Sequence, residues 1–272
     1  MLGKATRLAL LSSLIVHTLA PAAAGQSAAD VLETAMARFE DRVAGIDNYT
    51  VVMEVMGYEV TNYFEKEMVD GRPTFVLKHQ SGTGQQTAGL FYNGFMEVVD
   101  RANLQGRESV AGYDCFVVTV DDFSGVDFDP EIPDDEEDFR PKHGTFYLDA
   151  GDYLIRRLEM DGQLLGGSGW QDIAMEIDFK DYREVDGMIH PFVSEMNVAG
   201  MQNAYSEEEM QQAREELEEM KRRMAEMPEA QRAAIEQMMG PRMKEMERML
   251  NSGTMQITTQ VKELKVNTGP PN

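Results

Sequence analysis

Hydrophobic positions recur first at helical spacing and then at every second residue. Ser27 stands where an N-cap would, and Leu32, Ala35, Met36, Phe39 and Val43 follow on one helical face until Gly45 stops the run. From Tyr49 the period falls to two: Tyr49, Val51, Met53 and Val55 alternate with their neighbours. After Gly57 the phase shifts to Tyr58, Val60 and Phe64, which a hairpin or a bulge at Gly57 explains. Further strands are expected over 73–79, 89–92, 95–99, 113–120, 144–148, 153–160, 173–182, 189–198 and 254–266. Asn93-Gly94 supplies a two-residue hairpin turn between two of them. In the clearest case Ile173, Met175, Ile177 and Phe179 face one way, and Ala174, Glu176, Asp178 and Lys180 the other. Many such one-sided strands after an N-terminal helix predict a mainly β (α+β) fold, an antiparallel sheet whose one apolar side curls around something.

Two segments interrupt this meander. Residues 121–138 hold ten acids and no base, with Pro130 and Pro133, and read as a solvated loop. Residues 206–250 read as an inserted helical hairpin. Ser206 and Glu209 form a capping box, and Met210, Ala213, Leu217, Met220, Met224 and Met227 make a stripe. Pro228 opens a second helix, striped by Ile235, Met238, Met239, Met243, Met246 and Leu250. The glycine-rich stretch 162–169 ends at Trp170 before a strand instead of opening a helix, so it reads as a flexible loop and not a phosphate cradle.

The first 25 residues have the order of a secretory signal: Lys4 and Arg7, an apolar run from Leu8 to Leu19, then Pro21-Ala22-Ala23-Ala24-Gly25. The apolar run is too short for a membrane span, which needs roughly twenty residues. Cleavage is expected after Ala24 or Gly25, with no cysteine at the new terminus to be acylated. Residues 26–272 would then form one exported domain that does not span the membrane. The chain has 25 Lys plus Arg against 48 Asp plus Glu, a formal net charge of −23, so nucleic acid and anionic membrane surfaces are expected to repel it.

Candidate chemistry is sparse. His79, His143 and His190 have no His, Cys or Glu neighbour at metal-ligand spacing, and the lone Cys115 sits in an apolar stretch as a small buried residue. Asp127, Asp129 and Glu131 alternate as calcium ligands would, but the loop lacks the turn glycine and is stiffened by proline. No nucleophile elbow, phosphate loop or dinucleotide fingerprint is present, so neither enzyme activity, cofactor nor metal is expected. Eleven of the 21 methionines lie between Met201 and Met255. They suit the apolar seam of the hairpin, an adaptable surface for acyl chains or a partner, or soft-metal binding to cuprous copper.

Four stretches resemble the outer-membrane lipoprotein carrier or lipoprotein-sorting superfamily (LolA/LolB-like). They are Gly71-Arg72-Pro73-Thr74-Phe75, Val110-Ala111-Gly112-Tyr113-Asp114-Cys115-Phe116-Val117-Val118, Phe146-Tyr147-Leu148-Asp149 leading into Tyr153-Leu154-Ile155-Arg156, and residues 181–192. The resemblance covers most of the chain outside the two insertions. It implies a periplasmic protein with an open half-barrel of about eleven antiparallel strands, helices across its concave mouth, an apolar cavity for acyl chains, and no catalytic residues. Both insertions depart from the family pattern.

The expected function is therefore a non-enzymatic periplasmic carrier for lipids or lipoprotein acyl chains, secreted if the cell has a single membrane. Candidate lipid-contacting residues, chosen by alternation, are Met53, Val55, Phe75, Leu77, Phe146, Leu148, Met175, Ile177, Phe179, Ile257 and Val261. The same positions equally suit an ordinary core. Candidate lid residues are Leu32, Met36 and Phe39 in the first helix, and Met220, Met224, Met227, Met239, Met243 and Met246 in the hairpin. The alternative is an envelope interaction or sensor module with a filled core, whose acidic, methionine-rich hairpin docks a partner protein.

Overall fold

The computed structural model describes residues 25–69, 71–81, 97–126, 139–167 and 169–271. The expected export signal, the Asn93-Gly94 turn, the strand at 89–92 and residues 127–138 of the acidic loop lie outside them. Helix α1 (Ala28–Val43) starts at Ser27, whose hydroxyl accepts the Asp30 N–H at 3.1 Å, while the Asp30 carboxylate accepts the Ser27 N–H at 2.8 Å. This reciprocal cap satisfies two backbone donors that a helix start leaves open.

Among the described residues ten strands follow: β1 (Asn48–Val55), β2 (Tyr58–Val69), β3 (Arg72–Ser81), β4 (Ala102–Val110), β5 (Tyr113–Val120), β6 (Phe139–Asp149), β7 (Ile155–Gly166), β8 (Gly169–Val185), β9 (Met188–Ala199) and β10 (Thr254–Val266). They form one sheet in the order β3-β2-β1-β10-β9-β8-β7-β6-β5-β4, with every neighbouring pair antiparallel. Helix α1 touches both outermost strands, β3 and β4. Laid flat, ten strands would hold their edges roughly 43 Å apart, whereas a helix of 16 residues is about 24 Å long. The sheet therefore curls around α1.

Three hairpins turn on the pairs Met56-Gly57, Ala111-Gly112 and Asp186-Gly187, all with positive φ at both residues. The phase shift at Gly57 is thus a tight hairpin. In β10 the register steps from Val52↔Glu263 to Met53↔Val261, leaving Lys262 as an extra residue. This bulge brings Val261, Leu264 and Val266 to one buried face although their numbers do not alternate.

Other sequence expectations need correction. Residues 97–101 form helical turns, not the end of a strand, and Val98 is buried against α1. Strand β4 went unrecognised because its residues are largely polar; it is an edge strand held by the backbone ladder to β5. Residues 162–166 and 169 are not a loop, since Gly162 pairs with Ile173 and Gly166 with Gly169 in the β7–β8 hairpin. Strand β6 begins before 144, beyond a register break between Pro141 and His143 that hides its alternation. The start of the acidic loop is anchored, with Phe123 and Val126 buried in the α1 core.

Three helices, α2 (Met201–Ala204), α3 (Glu207–Ala225) and α4 (Glu229–Ser252), stand between β9 and β10. Helix α3 packs on α4, while α2 and α4 pack on the sheet. Ser206 and Glu209 form the expected capping box. Among the described residues, no helix is long and apolar enough to cross a membrane.

Candidate functional site: the apolar face of the curved sheet

Strand register and alternation put all eleven candidate lipid-contacting residues on the sheet face that α1 crosses. Their surroundings differ. Phe146, Leu148, Ile177 and Phe179 are buried in a cluster with Val31, Leu32, Ala35 and Met36 of α1. Phe75 and Val261 are buried with Val43, Tyr49, Val51, Phe64 and Leu264, with Met53 and Leu77 half-buried at the margin. Phe39 stands edge-on to Phe75, ring centroids 6.4 Å apart. Val55 and Ile257 are half-buried nearer the mouth.

The remainder of this face has a different lining. Ile173, Val198 and Met201 are buried there, and Phe139, Leu164, Met175, Met196, Met249 and Met255 pack around them half-buried. Five of these nine are methionines, whose unbranched thioethers repack at low cost. Two, Met201 and Met249, come from the helical insertion. Of this group only Met175 was among the candidate lipid contacts, although Ile173 shares its strand face; Met196 and Met255 follow the alternation of β9 and β10, but nothing local shows that Met201 and Met249 return to meet them.

The insertion leaves and rejoins the sheet at neighbouring strand ends. Gly200 and Gly253 bracket it with φ of 88° and 67°, Ala199 pairs with Thr254, and the Met201 N–H donates to the Gly253 carbonyl at 3.2 Å. At Gly200 a Cβ would stand 2.7 Å from the Asp172 carbonyl oxygen. Beyond this pivot, polar contacts clip α4 to the sheet. Arg242 donates to the Tyr58 hydroxyl at 3.1 Å, the Gln256 N–H donates to Glu245 at 2.9 Å, and Arg248 donates to the Gln256 side chain at 2.7 Å. Each is worth about 0.5–1.5 kcal/mol net.

The remaining lid candidates mostly join the two long helices to each other. Met243 and Met246 pack with Met210, Leu217 and Leu250 in the α3–α4 seam. Met224 is buried, and Met220, Met227 and Met239 are half-buried. Substituting Gly200→Ala imposes both left-handed strain of about 1–2 kcal/mol and the backbone overlap. Limited proteolysis within 201–252 is expected to quicken at least about tenfold, the equivalent of 1.4 kcal/mol; unchanged cleavage would show that this pivot does not hold the helices.

Polar groups on the covered face are few. Asn62 is 2 % exposed on β2, and its Oδ1 has no hydrogen-bond partner. His190 is buried beside Tyr49 and Phe192, its Nδ1 is 2.7 Å from the Pro191 carbonyl, and burial pushes its pKa below the ordinary value. His79 is exposed on β3, whereas His143 pairs with Asp121 at 2.7 Å. Cys115 is fully buried, and burial, aided by the Asp149 carboxylate, pushes its thiol up to about 11. A thiol so placed is a poor nucleophile. Among the described residues no group of three His, Cys, Asp or Glu side chains could hold a metal.

No family model and no curated protein matches the chain. Solved structures do resemble it. A DUF1329 family protein from Desulfovibrio piger aligns at a TM-score of 0.41 and 12% identity, over 90% of this chain and 93% of that one. An outer membrane lipoprotein-sorting protein domain from Vibrio parahaemolyticus aligns at 0.37 and 11%, over 89% and 95% of the two chains. A LolA superfamily protein from Nitrosomonas europaea aligns at 0.34 and 9%, over 88% and 94%.

Proposed function

We propose that this chain is a non-enzymatic periplasmic binding protein that holds acyl chains of lipids or lipoproteins on the curved sheet, beneath the helical insertion. The observation that carries this reading is a methionine-lined, half-buried patch under a cover that joins the sheet at Gly200 and Gly253 and is otherwise held by side-chain contacts from α4. Burying a methylene there is worth about 0.8 kcal/mol, so a hydrocarbon chain is held by area alone. Opening breaks a few exposed polar clips and parts Met201 and Met249 from their neighbours, while the α1 half of the core stays closed. The signal-like start of the chain, with its short apolar run, supports the compartment.

The filled packing under α1 favours a second reading, an envelope interaction or sensor module that docks a protein through the helical insertion. Native mass spectrometry of protein purified from its own envelope separates the two. Co-purifying lipid, lost from the variant Met196→Glu, is the expected result. A lipid-free mass accompanied by a stable protein partner would displace the carrier reading in favour of the module.

A further inference from the structure

The chain is strongly acidic, yet the far half of the helical insertion reverses that sign. Between Met220 and Lys244 stand six cations, Lys221, Arg222, Arg223, Arg232, Arg242 and Lys244, against three carboxylates, Glu226, Glu229 and Glu236, while the whole chain has a net charge of −23. In the same region α3 and α4 enclose an open groove of about 950 Å³. Its floor is apolar, formed by Met224, Ala225, Gly240 and Met243. Met224 is only 7% exposed, so the floor is recessed, and among the described residues nothing outside its own helix backbone and chain neighbours lies within 4 Å of where a Cβ on Gly240 would stand.

Rim charge decides what fits. Lys221 is already engaged by Glu218 at 3.1 Å and Glu247 at 3.2 Å. Arg232 and Lys244 also line the groove and form no ion pair among the described residues; the lining carboxylates are Glu247, which holds Lys221, and Glu236, so the rim keeps an excess of one cation. We infer that this groove is a binding site, separate from the curved sheet, for a single-chain anionic amphiphile. The hydrocarbon chain lies on the thioether floor, and the anionic head pairs with Arg232 or Lys244. Neither a flat bilayer surface nor the broad face of a helix about 10 Å across reaches the recessed Met224. A flexible chain does, and the volume lies within the usual range for small-ligand sites. Methionine side chains adapt to its varied conformers.

The test is calorimetric titration of the purified protein with oleate below its micelle concentration, with oleyl alcohol in parallel and far-UV circular dichroism to verify folding of each variant. Oleate is expected to bind more tightly than the alcohol and to weaken with added salt. The double variant Arg232→Gln/Lys244→Gln should lose at least tenfold in oleate affinity with little effect on the alcohol, and the single variants show at which end the head sits. Met224→Glu should weaken both ligands, whereas Met196→Glu on the sheet should leave this binding intact. Oleate affinity unchanged by the double variant overturns the inference. Loss caused by Met196→Glu alone would also overturn it, by assigning the binding to the sheet and leaving the carrier reading standing.

Discussion

Replacing Arg156 by Ala is expected to cost about 3–5 kcal/mol of folding stability, because it strips a buried carboxylate of its counter-charge. The Arg156 guanidinium donates to Asp149 through Nε at 3.1 Å and Nη2 at 2.8 Å, and to Asp152 at 2.6 Å. Tyr113 and Tyr182 lie against it, ring centroids 3.9 and 5.0 Å from its central carbon. Asp149 also accepts the Gly151 N–H at 2.7 Å, so it shapes the turn between β6 and β7. Urea unfolding of Arg156→Ala measures the loss. The double variant Asp149→Asn/Arg156→Met should regain most of it, since no bare charge then remains inside. A double variant as weak as the single one would show that turn geometry, rather than charge, dominates.

Acid stability follows from two groups with the same sign. Burial pushes the Asp149 carboxyl up, but the Gly151 N–H and Arg156 outweigh it and hold the carboxyl below its ordinary 3.8. Its contribution is present above that value and is lost as pH falls through the lower folded value. His190 is buried neutral with its pKa pushed below 6.5, so the unfolded chain takes up a proton first as pH falls. In both cases the unfolded state binds more protons, and stability rises with pH. Denaturation midpoints are expected to begin falling near pH 6.5 and to fall again below 3.8. His190→Phe should remove the upper step alone.

Leu32→Ala is expected to cost about 2–5 kcal/mol. Leu32 is 0% exposed and belongs to the cluster that joins Val31, Ala35 and Met36 to buried side chains of β5, β6, β7 and β8. A helix that merely opened and closed over a hollow would tolerate the change, losing roughly the 0.5 kcal/mol typical of a surface site. Helix α1 acts instead as the inner post around which the sheet bends. A measured loss under 1 kcal/mol would contradict that role.

Much of this architecture was legible because the physics is local. Ser27 and Ser206 announce their helices by hydroxyls placed ahead of an apolar stripe, and a period of 3.6 sustained from Met210 to Leu250 suits nothing but helix. Alternation selected side chains of one sheet face, including Met53, Ile177 and Phe179. It could not show what covers that face, since α1 reaches Ile177 from a point far along the chain and Met249 reaches Ile173 from beyond β9. Strand β4 was invisible because an edge strand needs only backbone partners, and Asn103, Gln105, Arg107 and Glu108 give no periodic signal. The β10 bulge defeated counting, placing Leu264 inside where strict alternation points it out. Within the α3–α4 groove the sequence displayed both cations and methionines, but their convergence depends on how two helices lean.

The central pairing of β1 with β10 joins Tyr49 to Val266, residues far apart along the chain. During synthesis β1 has only β2 beside it until β10 arrives. Until then two half-sheets carry raw edges in the middle of what will become the structure. Contacts this distant form slowly, and the sheet is continuous only once β10 stands between β1 and β9.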